Sequence, residues 1–405
     1  MALTDTTGSG HSELVDPNEQ RVRQLCDELL AEFPPDSTSE QTFLEAQYDK
    51  GLAWVQFPEG AGGLGLSPRY QKMVIERCSA AGAPIGGAKN PIGYGMCAPA
   101  LVEHGSPDLL KMLRPLFSNE HIWCQLFSEP GAGSDVASLA AKAERDGDEW
   151  IVNGQKVWTT LAHISSYGLL IARTDSEQPK HRGMTAFVVD MNAPGVEVRP
   201  LRQMTGEAEF NEVYFTDARI PDSMRVDGEG EGWRVSITTL MNERVSIGGG
   251  TPPRGSGPIG QLINLWQKLG HDDPVQRDAV TQLWAQAEVN RLTNIRASQN
   301  RKAGTPGPEG SVAKLAMAEL NKSIYDLAMD LLGPEGMLYD SYQLSRPRHA
   351  LFTDDMHKNF LRARANSIEG GTSEVLRNIL GERVLGLPGD VRVDKELPWS
   401  QVPRS

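Results

Sequence analysis

The spacing of apolar positions along the chain changes character twice. From Pro17 onward Val22, Leu25, Cys26, Leu29 and Leu30 recur three and four residues apart, the stripe of an amphipathic helix, and Pro34-Pro35 ends it. Further helices are expected over 43–52, over 73–80 behind a Ser67-Pro68 start, and over 98–104 and 108–117. The glycine-rich run at 60–65 has no Gly-Lys-Ser/Thr after it, so it reads as a connector and not as a phosphate loop. Between Ile122 and about residue 226 the helical stripe gives way to short runs rich in Val, Ile, Thr, Tyr and Phe, at 149–152, 156–160, 167–173, 184–190, 196–201 and 211–220. Asp146-Gly147-Asp148, Asn153-Gly154 and Ala193-Pro194-Gly195 punctuate them as turns, Asn153-Gly154 as a hairpin turn. Beyond residues 228–232 long helical patterns return, at 233–247, 259–268, 274–301, 310–332, 355–365 and 373–384.

This order predicts an α+β chain: a disordered tail over 1–16, an N-terminal helical domain over 17–121, a middle domain over 122–228 built as a small antiparallel β-barrel or sandwich, and a C-terminal four-helix bundle domain over 229–405. Forty basic against fifty-three acidic residues, a net charge of −13, argue against nucleic acid or an anionic membrane as the main partner. An anionic ligand must then be held by local arginines and backbone donors. Cys26, Cys78, Cys97 and Cys124 show neither paired nor metal-like spacing and read as reduced core thiols. The first twenty residues resemble neither a signal nor a transit peptide, and no apolar run is long enough to span a bilayer, so the expected location is cytoplasmic and the expected metal content none.

Candidate chemistry sits in residues 125–135, Gln-Leu-Phe-Ser-Glu-Pro-Gly-Ala-Gly-Ser-Asp. A strand end runs into a bend in which Pro130 fixes φ and Gly131 and Gly133 relax it, offering backbone N–H groups and the hydroxyls of Ser128 and Ser134 to something outside. Taken alone this is an ordinary surface loop. About twenty-five residues on, Lys156-Val157-Trp158-Thr159-Thr160 supplies a tryptophan and two threonines; alone, Trp158 reads as a barrel-core aromatic and Thr160 as a strand filler.

Together with Phe-Asn-Glu-Val-Tyr-Phe-Thr-Asp-Ala-Arg-Ile-Pro at 210–221 and Ile-Glu-Gly-Gly-Thr-Ser-Glu-Val-Leu-Arg at 368–377, these motifs make the chain resemble the acyl-CoA dehydrogenase flavoproteins from about residue 52 to 388. The resemblance implies FAD as cofactor and α,β-dehydrogenation of an acyl-CoA thioester to the trans-2-enoyl-CoA, the α-proton going to a carboxylate base and the β-hydride to flavin N5, in fatty acid or steroid side-chain β-oxidation. Carried over by position, Phe127 and Ser128 flank the flavin's pyrimidine edge, Trp158 and Thr160 its ring and N5, and Thr372 and Glu374 the adenosine and pyrophosphate part; Ser134 and Arg244 contact CoA. An electron-transfer flavoprotein or similar acceptor is the implied redox partner. If oxygen takes the electrons instead, the chain is an acyl-CoA oxidase.

Family members place the base in one of two positions. At the first, the residue two before Thr372 is Gly370, so only Glu369, one residue earlier, can serve, and it is the reserve. At the second, Glu243-Arg244 supplies the pair, flanked by apolar residues that desolvate a carboxylate, and Glu243 is the expected base; alone it would read as a helix-surface carboxylate. Two departures stand out. The family's Arg-x-x-Phe-Gly segment is replaced around Arg254, and Asp330-Leu331-Leu332-Gly333-Pro334 stands at its Gln-x-x-Gly-Gly. Such losses also fit a catalytic or non-catalytic subunit of a heteromeric dehydrogenase, so a homodimer, a homotetramer and a heterotetramer with a paralogue all remain open. Ser246-Ile247-Gly248-Gly249-Gly250 beyond the base replaces side-chain volume with space, which suits a bulky or branched acyl group.

Overall fold

The computed structural model describes residues 16–248, 251–302, 309–348, 355–391 and 393–403, with side chains 244–248, 301, 302 and 309 also outside the description. The tail expected over 1–16 thus falls outside it, except Asp16, which caps the first helix by accepting from Asn18 N at 3.0 Å. Two compact units make up the chain, one running up to Gly86 with Leu113–Ser118, the other comprising Gly87–Met112 and everything from Asn119.

The first unit is helical: α1 (Pro17–Glu32), α2 (Glu40–Asp49) and α3 (Gln71–Ala80). Val22, Cys26 and Leu29 are the buried stripe of α1, as their spacing requires. The glycine-rich connector folds on itself, with Leu64 N and Leu66 N donating to Val55 O and Gly65 N to Phe57 O. Gly63 cannot be replaced there, because a Cβ would lie 2.1 Å from Phe57 O. The amides of Ala61, Leu64, Gly65 and Leu66 are thus spent within the chain, as a connector's should be.

In the second unit α4 (Ala98–His104) and α5 (Pro107–Leu110) precede the sheet; the helix expected over 108–117 is in fact α5 followed by α6 (Leu113–Phe117) of the first unit. The strands are β1 (Trp123–Leu126), β2 (Lys142–Asp146), β3 (Glu149–Thr160), β4 (Tyr167–Arg173), β5 (Met184–Asp190), β6 (Val196–Pro200), β7 (Phe210–Pro221) and β8 (Arg225–Val226). They form one eight-stranded sheet in the order β6-β7-β3-β2-β4-β5-β8, with β1 on β4. This corrects the expected antiparallel barrel or sandwich: the sheet is open, and β1 runs parallel to β4. Closure would need the edge strands β6 and β8 to pair, and β2 meets β4 only at Lys142 and Arg173, so the sheet hinges at its middle. A single core still joins both halves, with Trp150 of β3 and Phe187 of β5 5.3 Å apart.

The hairpin expected at Asn153-Gly154 is also corrected. β3 runs through and pairs with β7 from Glu149 to Thr160 with two register shifts, the first of which Gly154, at φ +148°, absorbs. Only glycine fits, since a Cβ would stand 2.6 Å from Ala141 Cα across the sheet.

The C-terminal part is helical: α7 (Gly232–Gly248), α8 (Pro258–Leu269), α9 (Pro274–Lys302), α10 (Glu309–Leu332), α11 (Met356–Ala363) and α12 (Ser373–Arg383). The other five helices all pack on α10. Ile324, Tyr325, Ala328 and Leu331 of α10 meet Ile259 and Leu262 of α8, Val280 of α9 and Met356 of α11 in a second core. Helix α8 begins with Pro258 at its first turn and stops at Gly270, which takes the left-handed C-cap at φ +67°.

Candidate functional site

At the end of β1 the chain passes through buried Phe127 and half-buried Ser128 to buried Glu129. Glu129 and Ala132 exchange backbone hydrogen bonds of 3.1 and 3.0 Å, closing the Pro130-Gly131 turn. The Glu129 carboxylate accepts from Ala140 N at 2.6 Å, Ala141 N at 2.9 Å and Lys156 Nζ at 2.7 Å. Lys156 is wholly buried and also donates to Phe127 O at 2.9 Å, while Val157 N donates to Ser128 O at 2.9 Å. Burial pulls the Lys156 pKa below the ordinary lysine value and the Glu129 charge opposes it. One ion pair thus fastens residues 127–132 to the last turn of β3.

Two residues on, β3 leaves its regular register, and Trp158 adopts φ +60°. Its ring is turned outward, 57% exposed, and stands edge-on to Phe210 at 5.8 Å. The reading of Trp158 as a barrel-core aromatic is therefore excluded. The half-buried hydroxyls of Ser128 and Thr160 make no hydrogen bond among the described residues. An exposed aromatic face and two uncommitted hydroxyls on neighbouring segments suit a flat heteroaromatic ring with polar edges, so the donor set fits the isoalloxazine of FAD.

Arg362 of α11 lies over the Phe210 ring at 5.5 Å and grips Glu369 with both Nη atoms, at 3.1 and 2.8 Å. Asn366 Nδ2 adds 2.9 Å to Glu369 Oε1. Burial works against the Arg362 charge, but Glu369, then Glu209, raise its pKa above the ordinary value. The wall and the reserve base are consequently linked in one chain, Trp158, Phe210, Arg362, Glu369.

Glu243 is half-buried on α7. Lys314 of α10 is buried, donates to Gly371 O at 2.6 Å, and has its pKa lowered by burial against the charges of Glu369, Glu243 and Glu319. The two candidate bases therefore share one cationic neighbour. Thr372 caps α12 by accepting from Val375 N at 3.2 Å, and Glu374 is exposed beside Arg377 at 3.4 Å. No described contact ties either to the Trp158 wall. Ser134 is exposed on the same loop as Phe127, next to Asp135, which Lys180 holds at 2.8 Å. The side chain of Arg244 lies outside the described residues. The four cysteines are buried and unpaired, and burial pushes the Cys124 thiol up to about 12, which makes it inert.

Sequence reasoning missed Lys156, Glu129, Arg362 and Lys314. For Lys156 a signal existed: Trp150, Val152 and Lys156 are the inward positions of β3, and a lysine in such a row needs a buried acid.

Comparison with known proteins agrees with this architecture. Family models described as the acyl-CoA dehydrogenase N-terminal, middle and C-terminal domains match residues 17–120, 124–218 and 230–385. The chain belongs to the acyl-CoA dehydrogenase family. It is a flavin-dependent oxidoreductase, and FAD is the family's cofactor. Acyl-CoA dehydrogenase IpdE1 of Mycobacterium tuberculosis is 37% identical, covering 84% of this chain and 86% of the relative. Acyl-CoA dehydrogenase FadE34 of the same organism is 36% identical over 84% of this chain but only 45% of its own length. Among solved structures, the ChsE4-ChsE5 complex from Mycobacterium tuberculosis superposes with a TM-score of 0.68 at 26% identity, covering 93% of this chain and 99% of that one. No helix among the described residues is long and apolar enough to cross a membrane.

Proposed function

We propose that this acyl-CoA dehydrogenase desaturates an acyl-CoA thioester at the α,β position, with Glu243 taking the α-proton. FAD, when bound, supplies the acceptor for the hydride. The observation that carries the reading is the pairing of the outward Trp158 face with the uncommitted Ser128 and Thr160 hydroxyls, fixed to one another through Lys156. Ser128 and Thr160 orient the cofactor's polar edge, Trp158 covers its ring, and Ser134, further along the same loop, meets CoA. Glu243 is preferred as base because it stands at the family's Glu-Arg position, whereas Glu369 is one residue out of register and both of its oxygens accept from Arg362 and Asn366. The packing of α7, α8 and α9 on α10 supports the four-helix bundle reading of the C-terminal domain. The decisive experiment is anaerobic mixing of the FAD-loaded protein with a panel of thioesters. Flavin bleaching by a bulky or branched acyl-CoA, abolished in Glu243→Gln with FAD retained, is the expected result. Full turnover by Glu243→Gln refutes the base.

A second reading has its own support. Arg254, at the segment that in relatives reaches a neighbouring subunit's FAD, here lies largely exposed over Trp284 at 4.9 Å and beside Glu288 at 3.6 Å. A solved relative is itself a two-chain complex. The chain would then bind FAD only with a paralogue; a colourless purified chain that turns yellow on co-expression with that paralogue would favour it.

A further inference from the structure

The chain continues beyond the C-terminal family match, which ends at residue 385. After an exposed stretch it docks on the sheet unit again: Trp399 N donates to Gln178 O and Ser400 N to Ser176 O, both at 2.9 Å, and Pro398 bridges Pro179. Trp399 is buried, donates through Nε1 to Ser138 O at 3.3 Å, and covers the Arg173 guanidinium at 4.8 Å. Arg173, itself buried, holds Ala137 O at 2.6 Å, Leu139 O at 3.3 Å and Lys180 O at 2.8 Å. On the other flank Lys180 Nζ is shared between Asp135 at 2.8 Å and Asp394 at 2.9 Å, and Ser138 Oγ also donates to Asp135 at 2.6 Å. The contacts to Asp135, Ala137, Ser138 and Leu139 fall on the residues immediately after Ser134, and the others anchor the strap to residues 176–180.

We propose that residues 394–403 form a strap that positions the Ser134 loop, and through it the coenzyme A end of the substrate, with Asp394 and Trp399 as positioning residues. The proposal rests on the reading of Ser134 as a CoA contact. The physical logic is that Trp399 shields charge-assisted hydrogen bonds from Arg173 to two loop carbonyls, which water would otherwise weaken. Asp394, for its part, orients the ammonium that restrains Asp135.

The test titrates free coenzyme A into the FAD-loaded full chain by calorimetry, for wild type, Trp399→Ala, Trp399→Phe and Asp394→Asn. CoA affinity should fall about tenfold in Trp399→Ala and severalfold in Asp394→Asn, recover in Trp399→Phe, and leave FAD content unchanged. In turnover, KM for an acyl-CoA should rise while kcat/KM for the matching acyl N-acetylcysteamine thioester, which lacks the nucleotide, stays put. Unchanged CoA affinity in both Trp399→Ala and Asp394→Asn overturns the strap alone. Equal losses on both thioesters mean a general structural role and overturn it too. Wild-type protein that binds no CoA overturns the reading of Ser134 and the strap with it.

Discussion

Replacing Lys156 by methionine tests the central joint of the site. The substitution keeps the buried volume and removes two hydrogen bonds, to Phe127 O at 2.9 Å and Glu129 at 2.7 Å. It leaves a buried carboxylate whose remaining partners are Ala140 N and Ala141 N. Breaking a buried pair from one side costs about 3–5 kcal/mol, and the two surviving backbone donors place this case near the lower end, about 3 kcal/mol. A chain of ordinary stability, about 5–15 kcal/mol, survives that loss and can be measured. Urea unfolding followed by tryptophan fluorescence reads the stability, and the ratio of flavin to protein absorbance reads cofactor retention. Adding Glu129→Gln to Lys156→Met removes the orphaned charge, so the double variant should regain part of the loss, with a coupling of about 1–3 kcal/mol. FAD should be lost more readily, because Phe127 loses its tie to Lys156 and only the Val157 N–Ser128 O bond still fastens this segment to the end of β3. A Lys156→Met protein within about 0.5 kcal/mol of wild type and full of FAD would refute the reasoning.

Other expectations are more local. Glu243→Gln should lower turnover by about 10²–10⁴-fold, whereas Glu369→Gln should stay within about tenfold in steady-state assays, and the reverse order would make Glu369 the base. Gly154→Ala should cost about 2–3 kcal/mol in denaturation, from its φ of +148° and the 2.6 Å approach to Ala141 Cα. Gly131→Ala, with nothing within 4 Å, should change stability by less than about 0.5 kcal/mol. Hydrogen bonds from Arg225 and Trp150 depress the Asp222 pKa from 3.8 to about 2. Its stabilising contribution is therefore complete above pH 3.8 and is lost as pH falls through about 2. With a quarter of the side chain exposed, about 1 kcal/mol is at stake, and Asp222→Asn should flatten that limb of the stability profile.

The long helices were legible because each carries its stripe over several turns: α8, α9 and α10 lie within about two residues of the ranges their apolar spacing predicts. Features decided by distant partners were not. Asn153-Gly154 has the composition of a hairpin turn, but β3 there pairs with β7, some sixty residues on, and the long ladder carries the strand through the glycine. Barrel and open sheet have the same alternation; whether β6 meets β8 is settled by twist and packing, which alternation does not encode. Within the site, Phe127, Ser128, Trp158 and Thr160 were named by resemblance. Lys156 and Glu129 were hidden, since neither alone says that it is buried against the other.

On the proposed reading, Glu369 serves the aromatic wall and not the proton. Glu369 accepts charge-assisted hydrogen bonds from Arg362 at 2.8 and 3.1 Å and one from Asn366 at 2.9 Å, so both of its oxygens already carry donors. Glu369 gains a different use through the same contacts, because it holds Arg362 under Phe210, and Phe210 abuts Trp158 at 5.8 Å. The glutamate nearest to the family's carboxyl-terminal base position thus braces the aromatic wall. Glu243, carried on a seventeen-residue helix, acts together with Glu369 on the charge of Lys314. With Glu243 as the proposed base, the carboxylate that braces the aromatic surface is a different one from the proton acceptor, so Glu369→Gln should loosen the wall before it slows proton transfer.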